Sequence, residues 1–309
     1  MKLAMVFPGQ GSQAVGMLRG YEDVPEALEV LLEAQQVLGG EFIELLEEGP
    51  AEALNLTVNT QPAMLTAGYA AYRAWLARGG PRPEVLAGHS LGEYTALVAA
   101  GALAFRDALP LVRFRAEAMQ DAVPEGEGAM AAILGLDDQG VRAACAEARG
   151  AVQAVNFNAP GQVVIAGQKA AVERAILLCK SRGAKRAMPL PVSAPFHSSL
   201  MKPAGERLQA YLKELRVAAP QIPVINNVDV RIESQPQAIK SALVRQAAAP
   251  VRWVETIRTM AQLGVTHVVE CGPGKVLSAL TRRIAPELQS IAAADRGSLD
   301  QAIAALKGA

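Results

Sequence analysis

The chain has 309 residues, of which 51% are apolar, enough to bury one large core or a main core with a smaller satellite domain. Lys plus Arg equal Asp plus Glu at 30 each, so no overall field draws the protein to nucleic acid or to an anionic membrane, and neither is expected as a partner. Three widely spaced cysteines without a Cys-x-x-Cys motif, and no apolar run long enough for a signal peptide or a bilayer span, predict a reducing, cytoplasmic location.

Short apolar runs alternate with longer stretches of helical period, which predicts βα units and a mostly parallel sheet. Helix start signals lie at Thr60 ahead of Pro62, at Ser199 ahead of a helix over 204–215, and at Gly272-Pro273 ahead of a helix over 275–284. We expect these elements to form one large α/β domain made of residues 1–125 and 193–309. Its strands are predicted at 2–7, 84–88, 224–227, 267–270 and 288–292.

The segment 126–192 has a different order of elements. Its patterns predict a strand at 129–134, a helix at 138–147, strands at 152–156 and 163–166, a helix at 169–181 and a strand at 185–190. The order βαββαβ is that of a ferredoxin-like unit. A small ferredoxin-like domain is therefore predicted as an insertion in the large one, and the cleft between two such bodies is a common place for a ligand.

The stretch GHSLGEY begins at Gly88 and contains the pattern G-x-S-x-G after a predicted strand and before a predicted helix. Two glycines allow a sharp strand-to-helix turn that exposes the serine, and the helix N-terminus offers N–H groups to an oxyanion. The plain alternative is a serine that caps an ordinary helix. The context favours Ser90 as a nucleophile.

A serine nucleophile needs a base, and the chain has three histidines. His89 adjoins Ser90 and should point elsewhere, and His267 begins a predicted strand, where a buried structural histidine is usual. His197 lies in the loop Ser193-Ala194-Pro195-Phe196-His197, where the small domain returns to the large one. By elimination His197 is the expected base. No acidic residue stands out as the third member of a triad, which weakens a plain α/β-hydrolase interpretation.

Two further glycine loops allow rival interpretations. Residues 9–14 spell G-x-G-x-x-A, a dinucleotide fingerprint, but residues 25–38 are patterned as a helix and not as the second strand that such a site requires. The loop is better suited to donate a backbone N–H near Ser90. Residues 271–275 suggest a phosphate loop without Walker spacing, and a helix that starts with Pro273 is the simpler explanation.

Together these motifs resemble malonyl-CoA:acyl carrier protein transacylase over nearly the whole chain. The family implies an α/β-hydrolase-like large domain with a ferredoxin-like insertion. The resemblance rests on residues 8–13, 60–63, 88–94, Arg115, 128–132, 156–167, Phe196-His197, Gln246 and 270–274.

The resemblance assigns roles to residues at the matching positions. It implies that Ser90 is the nucleophile and His197 its base, and that the backbone N–H groups of Gln10 and Leu91 form the oxyanion hole. It also implies that the main-chain carbonyl of Gln246 orients the histidine, which would explain the missing acid.

The resemblance further implies that Arg115 holds the free carboxylate of malonate and that Gln61 lines the same pocket. The residues alone do not choose Arg115 over Arg113 or Arg106, although a guanidinium suits a carboxylate. Phe196 before the histidine resembles the malonyl-type pattern and disfavours a branched substrate. The implied reaction is ping-pong transfer through a malonyl-serine, with a coenzyme A thioester as substrate and with neither a metal nor a bound redox cofactor.

Acyl carrier protein is the implied partner, and in this family's pathway it is acidic. A basic cluster at Lys180, Arg182, Lys185 and Arg186 could receive it, although cations at a helix C-terminus on a solvated surface are an alternative explanation. Fatty acid synthesis is the expected pathway. The alternatives are a serine esterase or thioesterase of the same fold, a trans-acting acyltransferase of polyketide synthesis, and a coenzyme A-binding module without activity.

Overall fold

Two β-sheets organise the protein in the computed structural model, which describes residues 1–192 and 194–308. Within these residues the strands are β1 (Leu3–Phe7), β2 (Val85–Gly88), β3 (Gly128–Leu134), β4 (Val152–Ala159), β5 (Gln162–Gln168), β6 (Arg186–Pro189), β7 (Val224–Ile225), β8 (His267–Cys271) and β9 (Gln289–Ala293). The helices are α1 (Pro25–Leu38), α2 (Gly40–Glu48), α3 (Ala51–Leu54), α4 (Thr57–Ala77), α5 (Gly92–Ala99), α6 (Phe105–Asp121), α7 (Asp138–Glu147), α8 (Lys169–Ser181), α9 (Lys202–Glu214), α10 (Pro236–Gln246), α11 (Trp253–Gln262), α12 (Val276–Ile284) and α13 (Arg296–Lys307). In the described part of the chain, no helix has the length and apolar character needed to cross a bilayer.

The larger sheet has the order β7-β2-β1-β8-β9, and each pair of neighbours is parallel. Every residue of its central strand β1 is buried, as expected where helices cover both faces. Leu3, Met5 and Phe7 join one core cluster, whereas Ala4 and Val6 join the cluster on the opposite face. The mostly parallel sheet predicted from the sequence is confirmed, and its strands end at one shared edge.

The smaller sheet is antiparallel in the order β4-β5-β3-β6, which is the ferredoxin-like arrangement of a βαββαβ unit. Helices α7 and α8 cover one face, and the other face carries Met130 and Val164 next to Phe196. A pair of backbone hydrogen bonds between β4 and Val251 joins this sheet to the rest of the protein. The division into domains at 126 and 193 stays a prediction, and Ser193 and Ala309 lie outside the described residues.

Three residues predicted as start signals are not the caps of their helices. Helix α4 begins at Thr57, so Thr60 lies inside it and its hydroxyl donates to the carbonyl of Leu54 at 2.6 Å, while Pro62 is tolerated within the helix. Ser199 begins a short 3₁₀ turn that ends at Met201, and Met201 is the residue at the N-cap of α9. Helix α12 begins at Val276, one residue after the predicted start but three after Pro273, because the buried carboxylate of Glu270 accepts two of its first N–H groups.

Candidate active site

Ser90 lies on a tight turn between β2 and α5, at the carboxyl edge of the parallel sheet. Its φ of 52° is in the left-handed region, as expected for a strained strand-to-helix elbow. The flanking glycines are required by space, since a Cβ at Gly88 would lie 1.8 Å from the carbonyl carbon of Gly92, and one at Gly92 would lie 2.1 Å from the oxygen of Phe7. The turn therefore points the serine hydroxyl away from the main chain, where it is partly buried.

His197 stands beside Ser90, with 2.6 Å between its Nε2 and the serine Oγ. Its Nδ1 lies 2.8 Å from the main-chain oxygen of Gln246. A carbonyl only accepts hydrogen bonds, so Nδ1 carries the proton and Nε2 is the acceptor that the serine hydroxyl faces. Burial, and secondarily the positive charge of Arg115, lowers the pKa of His197 to about 3, so the imidazole is neutral near pH 7.

Arg115 projects from α6 and is 2% exposed. Its Nη1 donates to Oε1 of Gln61 at 2.7 Å, and its Nη2 donates to Oε1 of Gln246 at 2.9 Å and to Oγ of Ser90 at 3.2 Å. Within the described residues it forms no salt bridge with a carboxylate. Burial lowers the pKa of Arg115 from its usual value, but an arginine this basic stays charged.

These side chains meet in a cavity of about 130 Å³. The oxyanion-hole candidates Gln10, in the loop after β1, and Leu91, directly after the serine, both line it. In the described part of the chain the backbone N–H groups of these two residues have no protein acceptor, so both are available to a ligand. The cavity is lined by Gln10, Gln61, His89, Ser90, Leu91, Arg115, Met119, Met130, Asn156, Leu190, Val192, Phe196 and His197.

The other two histidines have partners away from the serine hydroxyl. Nε2 of His89 is 2.8 Å from Oδ1 of Asn158, and its ring packs edge-on against Trp253. His267 is buried in β8, with Nδ1 at 2.8 Å from the hydroxyl of Thr266. Only His197 has the geometry of a base for Ser90.

A buried polar network lies behind the elbow, and the sequence motifs did not predict it. Asn227 accepts the Ser90 N–H with its Oδ1 at 2.8 Å and donates from Nδ2 to the Gly88 carbonyl at 2.7 Å. Glu93 accepts from the N–H of Asn227 and from Nε2 of Gln246, both at 2.9 Å. One available signal was the carboxyl of Glu93 inside an otherwise apolar run, because a buried carboxyl needs partners.

The basic cluster is exposed on the smaller sheet and its neighbouring helix. Arg182 pairs with Glu147, which removes part of its charge from the surface field. Lys180, Lys185 and Arg186 form no salt bridge within the described residues. Lys185 precedes the edge strand β6 and Arg186 is its first residue, and Leu190, just beyond the end of this strand, lines the cavity.

Comparisons with known proteins point to one family. The model of the acyl transferase domain family matches residues 4–296. The malonyl CoA-acyl carrier protein transacylase of Haemophilus influenzae is 54% identical over 303 residues, covering 97% of each chain.

Two solved structures show the same fold. The acyl-carrier-protein S-malonyltransferase of Burkholderia pseudomallei is 64% identical with a TM-score of 0.97, over 98% of this chain and 100% of that one. A malonyl-transacylase solved in complex with its type II PKS acyl-carrier protein is 51% identical with a TM-score of 0.96, over 99% and 100% of the two chains.

Proposed function

This chain belongs to the acyl transferase domain family and is an acyltransferase, and from that premise we propose that it transfers malonyl groups from malonyl-CoA to the phosphopantetheine thiol of acyl carrier protein. The product would supply fatty acid synthesis. The proposed location is the cytoplasm, which is consistent with three buried cysteines that form no disulfide. The curated relatives and the solved carrier-protein complex support the donor and the acceptor.

The observation that carries the proposal is the position of Arg115. A malonyl thioester has a free carboxylate only one methylene away from the reacting carbonyl. A cation that binds this carboxylate must therefore lie next to the nucleophile, and Nη2 of Arg115 is 3.2 Å from Oγ of Ser90. A buried guanidinium that pairs with no carboxylate of the described residues favours an anionic ligand, and its planar fork suits bidentate binding.

The dyad geometry supports acyl transfer through a serine ester. His197 takes the Ser90 proton on Nε2 as Oγ attacks the thioester carbon, and the imidazolium is held through its Nδ1–H by the Gln246 carbonyl. The N–H groups of Gln10 and Leu91 would hold the negative oxygen of the tetrahedral intermediate. Collapse breaks the carbon–sulfur bond, and the proton on Nε2 passes to the departing coenzyme A thiolate.

The second half-reaction uses the same groups. The carrier protein's thiol gives its proton to Nε2 of His197 and attacks the malonyl ester, and collapse returns Ser90 to its hydroxyl form. Every proton transfer uses a group of this chain, so the proposed reaction requires no metal or bound redox cofactor.

The substrate carboxylate would also strengthen the base. The charge of Arg115 is one of the causes that lower the pKa of His197. A carboxylate bound to the guanidinium offsets this charge, so the imidazole becomes easier to protonate when malonyl-CoA is bound. The cavity is thus more favourable to malonyl-CoA than to a neutral acyl-CoA in two ways.

For carrier protein, we propose docking near Lys180, Arg182, Lys185 and Arg186. An acidic partner would gain electrostatic steering from Lys185 and Arg186 beside the edge strand, while Arg182 contributes less because Glu147 already neutralises it. The cluster lies on the small-sheet side of the cavity.

The test is a two-thiol transfer assay followed by intact-mass spectrometry. Malonyl-CoA alone should add about 86 Da to the wild-type enzyme, the mass of a malonyl ester on serine, and Ser90→Ala should show no adduct. Addition of holo carrier protein should discharge the enzyme and load the carrier. Free malonate without a loaded carrier would instead identify a hydrolase, and the absence of any adduct on wild type would leave only a binding role.

A further inference from the structure

Glu93 ends the stretch GHSLGE and has no role in the chemistry described above. It lies in the first turn of α5, is 2% exposed, and does not line the substrate cavity. Burial raises its pKa to about 7, so keeping a carboxyl there opposes its ionisation. Such a costly residue needs a structural or a functional explanation.

The contacts of Glu93 converge on one oxygen. Oε2 accepts both the N–H of Asn227 and an N–H of the Gln246 amide, each at 2.9 Å. Asn227 in turn accepts the N–H of Ser90 and donates to the carbonyl of Gly88, so it fastens both sides of the elbow. One buried oxygen therefore joins the nucleophile's turn to the residue that orients the base.

Glu93, the Ser90 carbonyl and Arg115 together fix which way the Gln246 amide faces. A primary amide has one donor end and one acceptor end, and Nε2 here donates to Glu93 and to the Ser90 carbonyl. Oε1 must then face Arg115, whose Nη2 it accepts at 2.9 Å. With the side chain fixed, the main-chain oxygen of the same residue receives the Nδ1–H of His197.

The second oxygen of Glu93 has different surroundings. Oε1 makes no hydrogen bond within the described part of the chain, and Glu93 lines a cavity of about 10 Å³ together with Asn226 and Glu233. That volume is close to what a single water needs. A proton on Oε1 would leave Oε2 free to accept, so Glu93 can serve as an acceptor in both ionisation states.

We propose that Glu93 is a positioning residue, which holds Gln246 and Asn227 so that the base, the elbow and Arg115 stay in register. The inference rests on the proposed acyl transfer. The positioning depends on the acceptor oxygen of Glu93 and does not require its negative charge.

The test compares Glu93→Gln with Glu93→Leu in single-turnover acylation of Ser90. Acetyl-CoA is used as well as malonyl-CoA, because acetyl lacks the carboxylate that Arg115 would hold. Glu93→Gln keeps an acceptor oxygen and should acylate within about threefold of wild type with both donors. Glu93→Leu should lose about 10- to 100-fold with both, the size expected when a catalytic group is displaced by about 1 Å.

Glu270→Gln is the matched control for a purely structural effect. Glu270 is also a fully buried carboxyl that accepts two backbone N–H groups, but its partners belong to α12 and it does not line the cavity. This variant should lose thermal stability and keep the acylation rate once folded. The proposal is wrong if Glu93→Leu acylates like wild type, or if Glu93→Gln is as slow as Glu93→Leu.

A double-mutant cycle with Gln246→Leu, which keeps the main-chain carbonyl, tests whether Glu93 acts through the side chain of Gln246. Because Glu93 would act largely through this side chain, adding Glu93→Leu to Gln246→Leu should slow acylation by less than about threefold, and full additivity overturns the proposal. If Glu93→Leu does not fold, Gln246→Leu alone must still lose at least about tenfold with acetyl-CoA. A wild type without an adduct would refute the proposed function itself, which is a different result.

Discussion

Arg115→Ala should convert the preference for malonyl-CoA into a preference for neutral acyl groups. The substitution removes a buried cation 3.2 Å from the serine hydroxyl and leaves the dyad contacts between Ser90, His197 and Gln246 in place. It also removes a charge that lowers the pKa of His197, so the base should be no weaker toward acetyl-CoA.

The size of the effect follows from the hydrogen bonds. A charged hydrogen bond contributes about 1.5–3 kcal/mol, and a guanidinium can make two to a carboxylate. In the free enzyme Arg115 already donates to Ser90, Gln61 and Gln246, so substrate binding exchanges some of these bonds and gains less than the full sum. A net loss of about 3 kcal/mol corresponds to about a hundredfold fall in kcat/KM for malonyl-CoA.

The assay measures kcat/KM for malonyl-CoA and acetyl-CoA with the same carrier protein. Arg113→Ala is the control, because Arg113 lies on the same helix but does not line the substrate cavity. Thermal melting of each variant shows whether the protein is folded. The carboxylate role is refuted if Arg115→Ala keeps the malonyl-to-acetyl ratio of wild type, or if Arg113→Ala changes that ratio equally.

Three further predictions concern pH, the elbow and the docking surface. The pKa of Glu93 is about 7 in the folded protein, against an ordinary value of 4.5. Between pH 4.5 and 7 the carboxyl is therefore protonated in the native state and ionised in the unfolded state, so the free energy of unfolding falls as the pH rises. In urea unfolding, the free energy of unfolding of Glu93→Gln should rise relative to that of wild type by up to about 3 kcal/mol from pH 4.5 to 7. A difference between the two proteins that does not change with pH would contradict the raised pKa. Gly92→Ala should lower the free energy of unfolding by about 3 kcal/mol, because its Cβ would meet the Phe7 oxygen, and a melting temperature within a degree or two of wild type would disprove that clash. Charge reversal at Lys185 and Arg186 should raise the KM for carrier protein and leave that for malonyl-CoA unchanged, and equal changes in both would exclude docking there.

The order of strands and helices along the chain was enough to predict most of the fold. Helices α1, α7 and α8 begin and end where their periodicity predicts, and the strands differ by a few residues at their ends. The errors at Thr60 and Pro273 share one cause. Each looked like a local start signal, whereas α4 follows directly on a short preceding helix and the first turn of α12 is held by a carboxylate from β8. Contacts between distant segments set these ends, and local patterns do not contain them.

For the site, the residue types and the G-x-S-x-G spacing predict Ser90 as the nucleophile, and elimination among three histidines predicts His197 as its base. The structure places these two side chains 2.6 Å apart. The choice of Arg115 over its neighbours on α6 came from family resemblance, because three arginines on one helix look alike in sequence. The fold distinguishes them, since only Arg115 of the three lines the cavity.

The sequence by itself determined the order of strands and helices and the glycine-flanked serine turn, because these depend on residues close together in the chain. Short motifs spread along nearly the whole chain identified the family. Only the tertiary structure decided how Glu93, Asn227 and Gln246 join behind that turn. Asn227 and Gln246 lie 134 and 153 positions after Glu93, and their hydrogen bonds exist only once the parallel sheet brings β2 beside β7. A buried polar group is compelled to find a partner, but the fold selects which one.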